Sequence, residues 1–408
     1  MESDRVSVLC GAIGILATIG CAGGETGEYT DVELPEWRIE EVARIGSLDD
    51  PDIGLTRVSR VLFGPNDRVY ISQSSEREIR IYEKSGTEVR RFGRNGEGPG
   101  EFRSLGAIGF THDTLYVADM GLRRFSMFTP DGEYIESFQW QSTADQAMVG
   151  SVFTIPTPPQ IVLDDGTGLL QQGFGYRPGD VDVLAVPWLR IDREGTMQDT
   201  IAIQETDVSR GRMVSEGGPE IAMFPPIGDA PLYQLMADRS GLVMVERPFA
   251  TDGGRHTFRM RWVGPAGDTL RVRDYDYAPV PLPQGEAERL IEQAVERYAD
   301  SPIPIPRATI ERTYGEPGFI PDFLPTVSRI RTGDDGSVWI QRETVGQETV
   351  AWNMIDTEGE LLGTIRLPAT ANIMAARGFL IAALEMDEFD VPYVVIYRVV
   401  RDPETNAE

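Results

Sequence analysis

Two stretches of the chain align without a gap: Val69-Tyr-Ile-Ser-Gln-Ser-Ser-Glu-Arg-Glu-Ile-Arg-Ile-Tyr-Glu-Lys-Ser-Gly86 and Leu115-Tyr-Val-Ala-Asp-Met-Gly-Leu-Arg-Arg-Phe-Ser-Met-Phe-Thr-Pro-Asp-Gly132. From Gly86 to Gly132 the period is 46 residues. Each stretch contains a β-rich run, a polar turn, a second β-rich run and a turn closed by glycine. Glycine suits the closing position because it adopts positive φ without steric cost. A fixed period of this length indicates a fold built from repeated β units.

The same two turns recur along the chain. The closing turn is an apolar residue, three others and a glycine, and its five copies end at Gly86, Gly132, Gly195, Gly267 and Gly359. The opening turn occurs six times, just before Val69, Leu115, Leu169, Leu242, Val338 and Phe379. Six openings and five closings predict six units, of which the last lacks its outermost strand.

An unassigned β segment, Trp37–Ile45, precedes the first unit. If it pairs with Tyr393–Val400 in the last unit, the ring closes and no raw sheet edge remains. The sequence therefore predicts an all-β fold, a six-bladed β-propeller of four-stranded antiparallel blades closed by an N-terminal strand. A pair of β-sandwiches or an open array is the alternative, but neither explains one missing strand and one spare strand.

The longest insertion spans residues 279–325. Within it, apolar residues fall at helical spacing: Ala287, Leu290, Ile291, Ala294, Val295 and Tyr298. This spacing predicts one short helix packed on the propeller, with a lid or partner-binding helix as the alternative. We assign residues 37–403 to the propeller and residues 404–408 to a tail.

Residues 6–24 form the only long apolar stretch and contain both cysteines, Cys10 and Cys21. Such a stretch ending in small residues is typical of an export signal. Its end, Thr18-Ile-Gly-Cys21, resembles the lipobox of bacterial lipoproteins, whose cysteine is lipidated after cleavage. The resemblance implies a signal peptide at 1–20, a flexible tether at 21–36, and an exported protein anchored in the cell envelope. An uncleaved anchor and a plain signal peptide are the alternatives.

The connection between the two aligned stretches has a second pattern. It runs Phe92-Gly-Arg-Asn-Gly-Glu-Gly-Pro-Gly-Glu-Phe102 and leads to Leu115-Tyr-Val-Ala-Asp119 and Arg124-Phe-Ser-Met-Phe128. Over residues 92–138 this closely resembles the NHL-repeat propellers, and with the leader it resembles exported six-bladed propeller proteins of bacteria. The family's Asn-x-Arg after the aspartate is replaced here by Met120-Gly-Leu-Arg-Arg124. The resemblance implies a fold more than a function.

The connection from Phe92 to Phe102, which we call the Gly-Pro loop, is the first candidate for a ligand site, because ligands of propellers usually bind where such loops gather around the channel. A related connection, Gly315-Glu-Pro-Gly-Phe319, supplies further candidates. The predicted ligand-binding residues are Arg94, Asn95, Glu97, Glu101, Phe102, Arg103, Glu316 and Phe319. Arginines here form a local positive patch that suits an anionic ligand. Ion pairing of these arginines with Glu97 and Glu101 is the alternative interpretation.

Composition excludes several functions. The net charge of −27 argues against nucleic acid as a partner. Two histidines, His112 and His256, both in turns, and two cysteines cannot form a Cys/His zinc site or a disulfide framework. Neither Gly-x-Ser-x-Gly nor His-Glu-x-x-His occurs. We therefore predict no catalytic residue, no metal and no cofactor.

These observations predict an exported, membrane-tethered propeller that binds a protein or a small ligand on its loop face. The alternative is a calcium-dependent hydrolase of the lactonase type, with a channel metal held by carboxylates and amides. The acidic runs Asp334-Asp335 and 385–390 lack the Asp-x-Asp-x-Asp-Gly spacing of a calcium loop, and we interpret them as solvated turns.

The leader generates the first testable prediction. Replacing Cys21 with Ser should abolish lipid labelling and leave an unprocessed precursor, because the thiol is the acylated atom. Cys10→Ser lies in the same apolar stretch and should keep both labelling and processing. Metabolic labelling with a fatty-acid analogue, followed by mass measurement, checks both variants. A Cys21→Ser chain that still partitions into membranes at the mature mass would contradict the lipoprotein interpretation.

Overall fold

In the computed structural model, the described residues are 33–50, 52–140, 148–149, 152–155, 158–175, 182–209, 211–214, 221–249, 256–299, 305–342 and 347–401. Six four-stranded antiparallel sheets follow one another along the chain and confirm the six-bladed β-propeller. We number them as blades 1 to 6 in chain order. The inner strand, which lines the central channel, is the first strand in sequence in blades 1 to 5 and the strand Asn372–Arg377 in blade 6.

The strands run in the following order. The first, β1 (Arg38–Ile45), belongs to the last blade. Blade 1 contains β2 (Val58–Phe63), β3 (Val69–Gln73), β4 (Glu78–Tyr82) and β5 (Glu88–Phe92), with a 3-10 turn at Pro65–Asp67. Blade 2 contains β6 (Leu105–Thr111), β7 (Thr114–Asp119), β8 (Arg124–Phe128) and β9 (Tyr134–Gln139).

Blade 3 follows β10 (Met148–Val149) and β11 (Val152–Ile155). It contains β12 (Ile161–Val162), β13 (Gly168–Gln171), β15 (Val183–Ile191) and β16 (Met197–Asp207). Between β13 and β15 the chain forms β14 (Gly173–Gly175), which pairs with β11 in a separate small sheet. A hairpin of β17 (Arg212–Val214) and β18 (Ile221–Met223) precedes blade 4, which contains β19 (Leu232–Leu235), β20 (Leu242–Glu246), β21 (Thr257–Val263) and β22 (Thr269–Asp276).

Two helices, α1 (Glu286–Ala299) and α2 (Arg307–Tyr314), lie between blades 4 and 5. Blade 5 contains β23 (Val327–Thr332), β24 (Val338–Arg342), β25 (Thr349–Ile355) and β26 (Leu361–Pro368). Blade 6 contains β27 (Asn372–Arg377), β28 (Leu380–Met386), β29 (Pro392–Val400) and, as its outer strand, β1. Among the described residues, neither α-helix is long and apolar enough to span a membrane.

The ring closes as the sequence predicts. Strand β1 pairs antiparallel with β29, in a register that places Arg38 opposite Val400 and Ile45 opposite Val394. Arg44 adds a polar contact between the two chain ends, because its Nη1 lies 3.2 Å from Oε2 of Glu385. The N-terminal strand therefore supplies the outer edge that the last blade lacks.

The residues just before β1 also form hydrogen bonds with the propeller. Trp37 is buried, its backbone N–H donates to Thr364 O at 2.7 Å, and its ring fills the space where a Cβ on Gly363 would lie. Pro35 O accepts the Thr364 N–H at 2.9 Å. Pro35 and Glu36, which the sequence analysis assigned to the tether, thus already contact blade 5; residues 21–32 lie outside the described residues.

The predicted turns are present. All five closing glycines have φ between 79° and 86°, a conformation that a side chain would strain. Because strands alternate in direction within each blade, the turns from inner to second strand all lie on one side of the ring. We call this side the turn face and define it by residues 64–68, 112–113, 163–167, 236–241, 333–337 and 378–379. The opposite side, which carries the connections between blades, is the connection face.

The insertions lie on the connection face, and they exceed what the sequence predicts. Helix α1 corresponds to the one predicted helix, whereas α2 and the β17–β18 hairpin were not predicted. They share a small apolar core in which Met223, Ile310 and Phe319 are buried. Helix α2 escapes sequence analysis because it is only eight residues long and mostly polar. Residues 402–408, which include the predicted tail, lie outside the described part of the chain.

Ring closure generates the second prediction. Deleting residues 21–46 should lower the melting temperature sharply and promote aggregation, because the deletion exposes β29 as an unpaired edge. Deleting only residues 22–34 should change it little, because this deletion spares the contacts of Pro35, Glu36 and Trp37. Thermal unfolding and light scattering compare the two chains. Equal melting temperatures would contradict the closure as a determinant of stability.

Candidate functional site

The central channel contains a cavity of about 530 Å³. Inner strands or turns of all six blades contribute to its wall, from mid-channel to the turn face. Its ionisable lining residues are Arg60, His112, Asp113, Tyr116, Asp238, Arg239, Arg331, Asp334 and Arg377. A chain with a large negative charge therefore has four arginines and only three aspartates in the wall of this cavity.

Strand alternation explains why arginines face the channel. In β23, Ile330 and Thr332 are buried. Because side chains alternate along a strand, Arg329 and Arg331 lie on the opposite face of β23, and of these two Arg331 lines the cavity. In β2 the same rule places Arg60 opposite the buried Val61. Blade 1 and blade 5 therefore direct arginines into one space, on either side of blade 6.

Arg331 is held in a fixed orientation. Its Nε donates to Ile373 O at 2.7 Å and its Nη1 to Ile330 O at 3.0 Å. Burial lowers the pKa of Arg331 to about 10, and repulsion from Arg329 and Arg60 adds to this effect. Among the described residues, no carboxylate lies within 4.0 Å of these three guanidinium groups. The wall thus contains two arginines, Arg60 and Arg331, that have no carboxylate in direct contact among the described residues.

Arginines at the turn face have a different role. Arg377 Nε donates to Asp334 Oδ2 at 2.8 Å and its Nη1 to Gly64 O at 2.8 Å, so it joins blades 5, 6 and 1. Arg239 donates to Asp164 and, at 3.2 Å, to Phe110 O, which joins blades 2, 3 and 4. Burial raises the pKa of Asp334, and the Arg377 guanidinium opposes this by stabilising the carboxylate. These two arginines connect blades at the channel mouth.

The predicted loop residues bond mainly to one another. Arg94 Nη2 lies 2.6 Å from Glu101 Oε1, and Arg103 pairs with Glu97. Glu101 Oε2 accepts the Gly98 N–H at 2.8 Å. This bond, followed by the Arg94 contact, lowers the pKa of Glu101. The ion pairs that the sequence offered as the alternative are therefore present, and ligand binding at this loop stays a prediction.

Other parts of the Gly-Pro loop have structural contacts. Phe102 is fully buried, 6.0 Å from the Phe128 ring centroid, and Asn95 forms a bridge with Phe102. Arg124 donates to the carbonyls of three loop residues: Glu97, Gly98 and Glu101. These contacts fix the loop conformation between blades 1 and 2.

The remaining predicted residues lie elsewhere on the connection face. Glu316 accepts Arg212 Nε at 2.9 Å, and Phe319 is buried in the small core beside α2. None of the eight predicted ligand residues lines the described cavity. Cys21, the predicted lipidation site, lies outside the described residues.

Neither histidine belongs to a metal-binding cluster in the part of the chain that the structure describes. His112 is exposed on the turn face, with Nδ1 at 3.6 Å from Asp164 Oδ1. The His256 ring lies 5.8 Å from that of Tyr277. No group of three or more His, Cys, Asp or Glu residues that could hold a metal occurs among the described residues.

Sequence analysis missed the channel arginines. A signal was available in Arg329-Ile-Arg331, because alternating charged and apolar residues directly precede an opening turn. That position identifies an inner strand, and the alternation places both arginines on one face of it, from which Arg331 reaches the cavity. The convergence with Arg60 depends on the ring, since the two strands are far apart in sequence.

Comparisons with known proteins show the fold only. No protein-family profile and no curated protein matches this chain. A Bacteroides fragilis protein described as exported is 11% identical, with a TM-score of 0.43, over 92% of this chain and 98% of that one. A DUF4221 family member from Bacteroides vulgatus is also 11% identical, with a TM-score of 0.46, over 90% and 99%. Regucalcin from Agrobacterium tumefaciens is 11% identical, with a TM-score of 0.36, over 90% and 97%.

The third prediction concerns Asp119, which ends β7 and accepts hydrogen bonds from the backbone that follows the Gly-Pro loop. This buried carboxylate accepts four backbone N–H groups: those of Arg103, Ser104, Gly121 and Leu122. Asp119→Ala should lower the free energy of unfolding by about 2 kcal/mol or more, because it leaves backbone donors without partners. Asp131→Ala, which removes an exposed ion-pair partner of Arg68, should cost at most about 1 kcal/mol. Urea unfolding measures both, and equal losses would contradict the role of Asp119.

Proposed function

We propose that this protein is an exported binding module that holds a small ligand in the central channel of its propeller. The observation that carries this proposal is the cavity of about 530 Å³, to which all six blades contribute. A concave site of this size suits a small molecule. The ring positions its wall rigidly, because each inner strand is paired within its own blade and packed between its neighbours.

The residues that line the cavity suit the binding of a ligand better than catalysis. Arg60 and Arg331, the lining arginines that have no carboxylate within 4.0 Å among the described residues, stay protonated and therefore serve poorly as general acids or bases. Guanidinium groups instead orient an anionic group through several donors at once. The proposal therefore assigns these residues to ligand recognition.

The calcium-dependent hydrolase remains the alternative function. Calcium takes six to eight oxygen ligands, whereas the cavity wall places Arg60 and Arg331 in the same space. Positive charge there opposes a divalent cation. One stoichiometric metal ion in the purified protein, found by elemental analysis, would favour the hydrolase.

Two further parts of the proposal come from sequence. Lipidation of Cys21 would tether the propeller to a membrane of the cell envelope, and the NHL-like connection face would offer a second surface for a protein or a small ligand. The residues proposed for that surface remain those of the Gly-Pro loop, together with Glu316 and Phe319.

A channel-filling variant provides the fourth prediction. Gln234 lines the cavity beside the buried Leu235, so Gln234→Trp should occupy part of the ligand space. Gln139→Trp places the same ring on the exposed outer strand of blade 2 and is the matched control. After incubation with a small-molecule extract of the native envelope, ultrafiltration and mass spectrometry identify the retained compounds. We expect wild type and Gln139→Trp to retain a compound that Gln234→Trp does not.

The difference in retention between Gln234→Trp and the other two proteins decides whether the ligand occupies the channel. Equal retention by all three proteins would show that the ligand binds outside the channel. The absence of any retained compound in wild type would count against the proposed function itself. Circular dichroism of the two variants verifies that both are folded.

A further inference from the structure

We propose that the channel ligand is a small oxyanion with two negative charges, bound by Arg60 and Arg331. This inference rests on the proposed function, since it names the ligand class of the same site. Carboxylate and phosphate groups share the required chemistry: planar or tetrahedral arrays of oxygens that accept several N–H donors.

The first argument is charge. The chain has 65 acidic residues against 38 basic ones, so carboxylates are abundant. Even so, among the described residues none lies within 4.0 Å of the guanidinium groups of Arg60 and Arg331, and the lining residues Asp113 and Asp238 also lie beyond that distance. Arg377, at the mouth of the same cavity, is paired with Asp334. Bringing like charges together inside the channel raises the free energy unless an anion compensates them.

The second argument is orientation. Nε and Nη1 of Arg331 donate to the carbonyls of Ile373 and Ile330. Its Nη2 donates to Asn372 Oδ1 at 3.5 Å, which leaves two of the five N–H groups for a ligand. A donor array held in place before binding loses little conformational entropy when the ligand arrives.

The third argument is the number of cations. Arg60 comes from blade 1 and Arg331 from blade 5, so the site faces a ligand from two sides of blade 6. Both side chains line the same cavity of about 530 Å³, so one small ligand in it can reach both. A monoanion would compensate only part of this charge. A dianion with separated oxygens matches it better.

Isothermal titration provides the test. Succinate and inorganic phosphate are the probes, acetate is the monoanion comparator, and the buffer has low ionic strength because salt screens these contacts. We expect wild type to bind at least one dianion about tenfold more tightly than acetate. Arg331→Gln and Arg60→Gln should each weaken that binding about tenfold or more, as expected for the loss of a charge-assisted bond. The relative affinities of the two dianions distinguish a carboxylate from a phosphate ligand.

Arg94→Gln tests the Gly-Pro loop, which is proposed above as a second binding surface. Arg259→Gln is the matched control, because it removes an exposed arginine of blade 4 that pairs with Asp274 outside the cavity. It should leave dianion binding within about twofold of wild type. If Arg331→Gln fails to fold, Arg60→Gln carries the test, since the Arg60 side chain donates no hydrogen bond within the described structure.

Two results would overturn the inference. One is no dianion binding to wild type at millimolar concentration. The other is binding that Arg94→Gln abolishes while Arg60→Gln and Arg331→Gln preserve it. The proposed function would survive either result if wild type retained a neutral compound that Gln234→Trp lost. Failure of the ligand class and failure of the channel site are thereby distinguished.

Discussion

The pairing of β1 with β29 is the contact on which the rest of the molecule depends. A propeller without it would end in a three-stranded blade whose outer edge exposes unpaired N–H and C=O groups. The pairing runs from Arg38 opposite Val400 to Ile45 opposite Val394, so it covers most of the last strand. Trp37 extends the contact to the outer strand of blade 5 through Thr364. Two chain ends that are distant in sequence thereby become one sheet.

Closure also creates the channel. Six inner strands surround one axis only when the ring is complete, and Arg60 and Arg331 approach each other only because blades 5, 6 and 1 are consecutive across the point of closure. The contact between Arg377 and Gly64 crosses the same point. The candidate site and the closure are thus physically coupled: the strand that seals the sheet edge also holds together the blades that present the arginines.

The Gly-Pro loop and the channel show how the same residue type serves two purposes. Arg94 and Arg103 lie beside glutamates of their own loop, and Arg124 donates to three loop carbonyls. Those contacts stabilise a connection between blades. Arg331, by contrast, is oriented by carbonyl oxygens and receives no compensating charge from the described residues. Local sequence composition does not separate these cases, because an arginine's partner is decided by which strand or loop folds next to it.

The sequence by itself determined the number of blades, their turns and the closing strand. Each of these follows from short-range rules: glycine at the closing turns must adopt positive φ, as all five do, and one spare strand matches one missing strand. It also located α1 from apolar spacing, but not α2, whose helix is short and polar. Only the tertiary structure decided that Arg60 and Arg331 share a cavity and that Phe102 belongs to the core. The physical reason is distance along the chain: turn conformation and strand alternation are local, whereas charge convergence requires blades to be arranged in space.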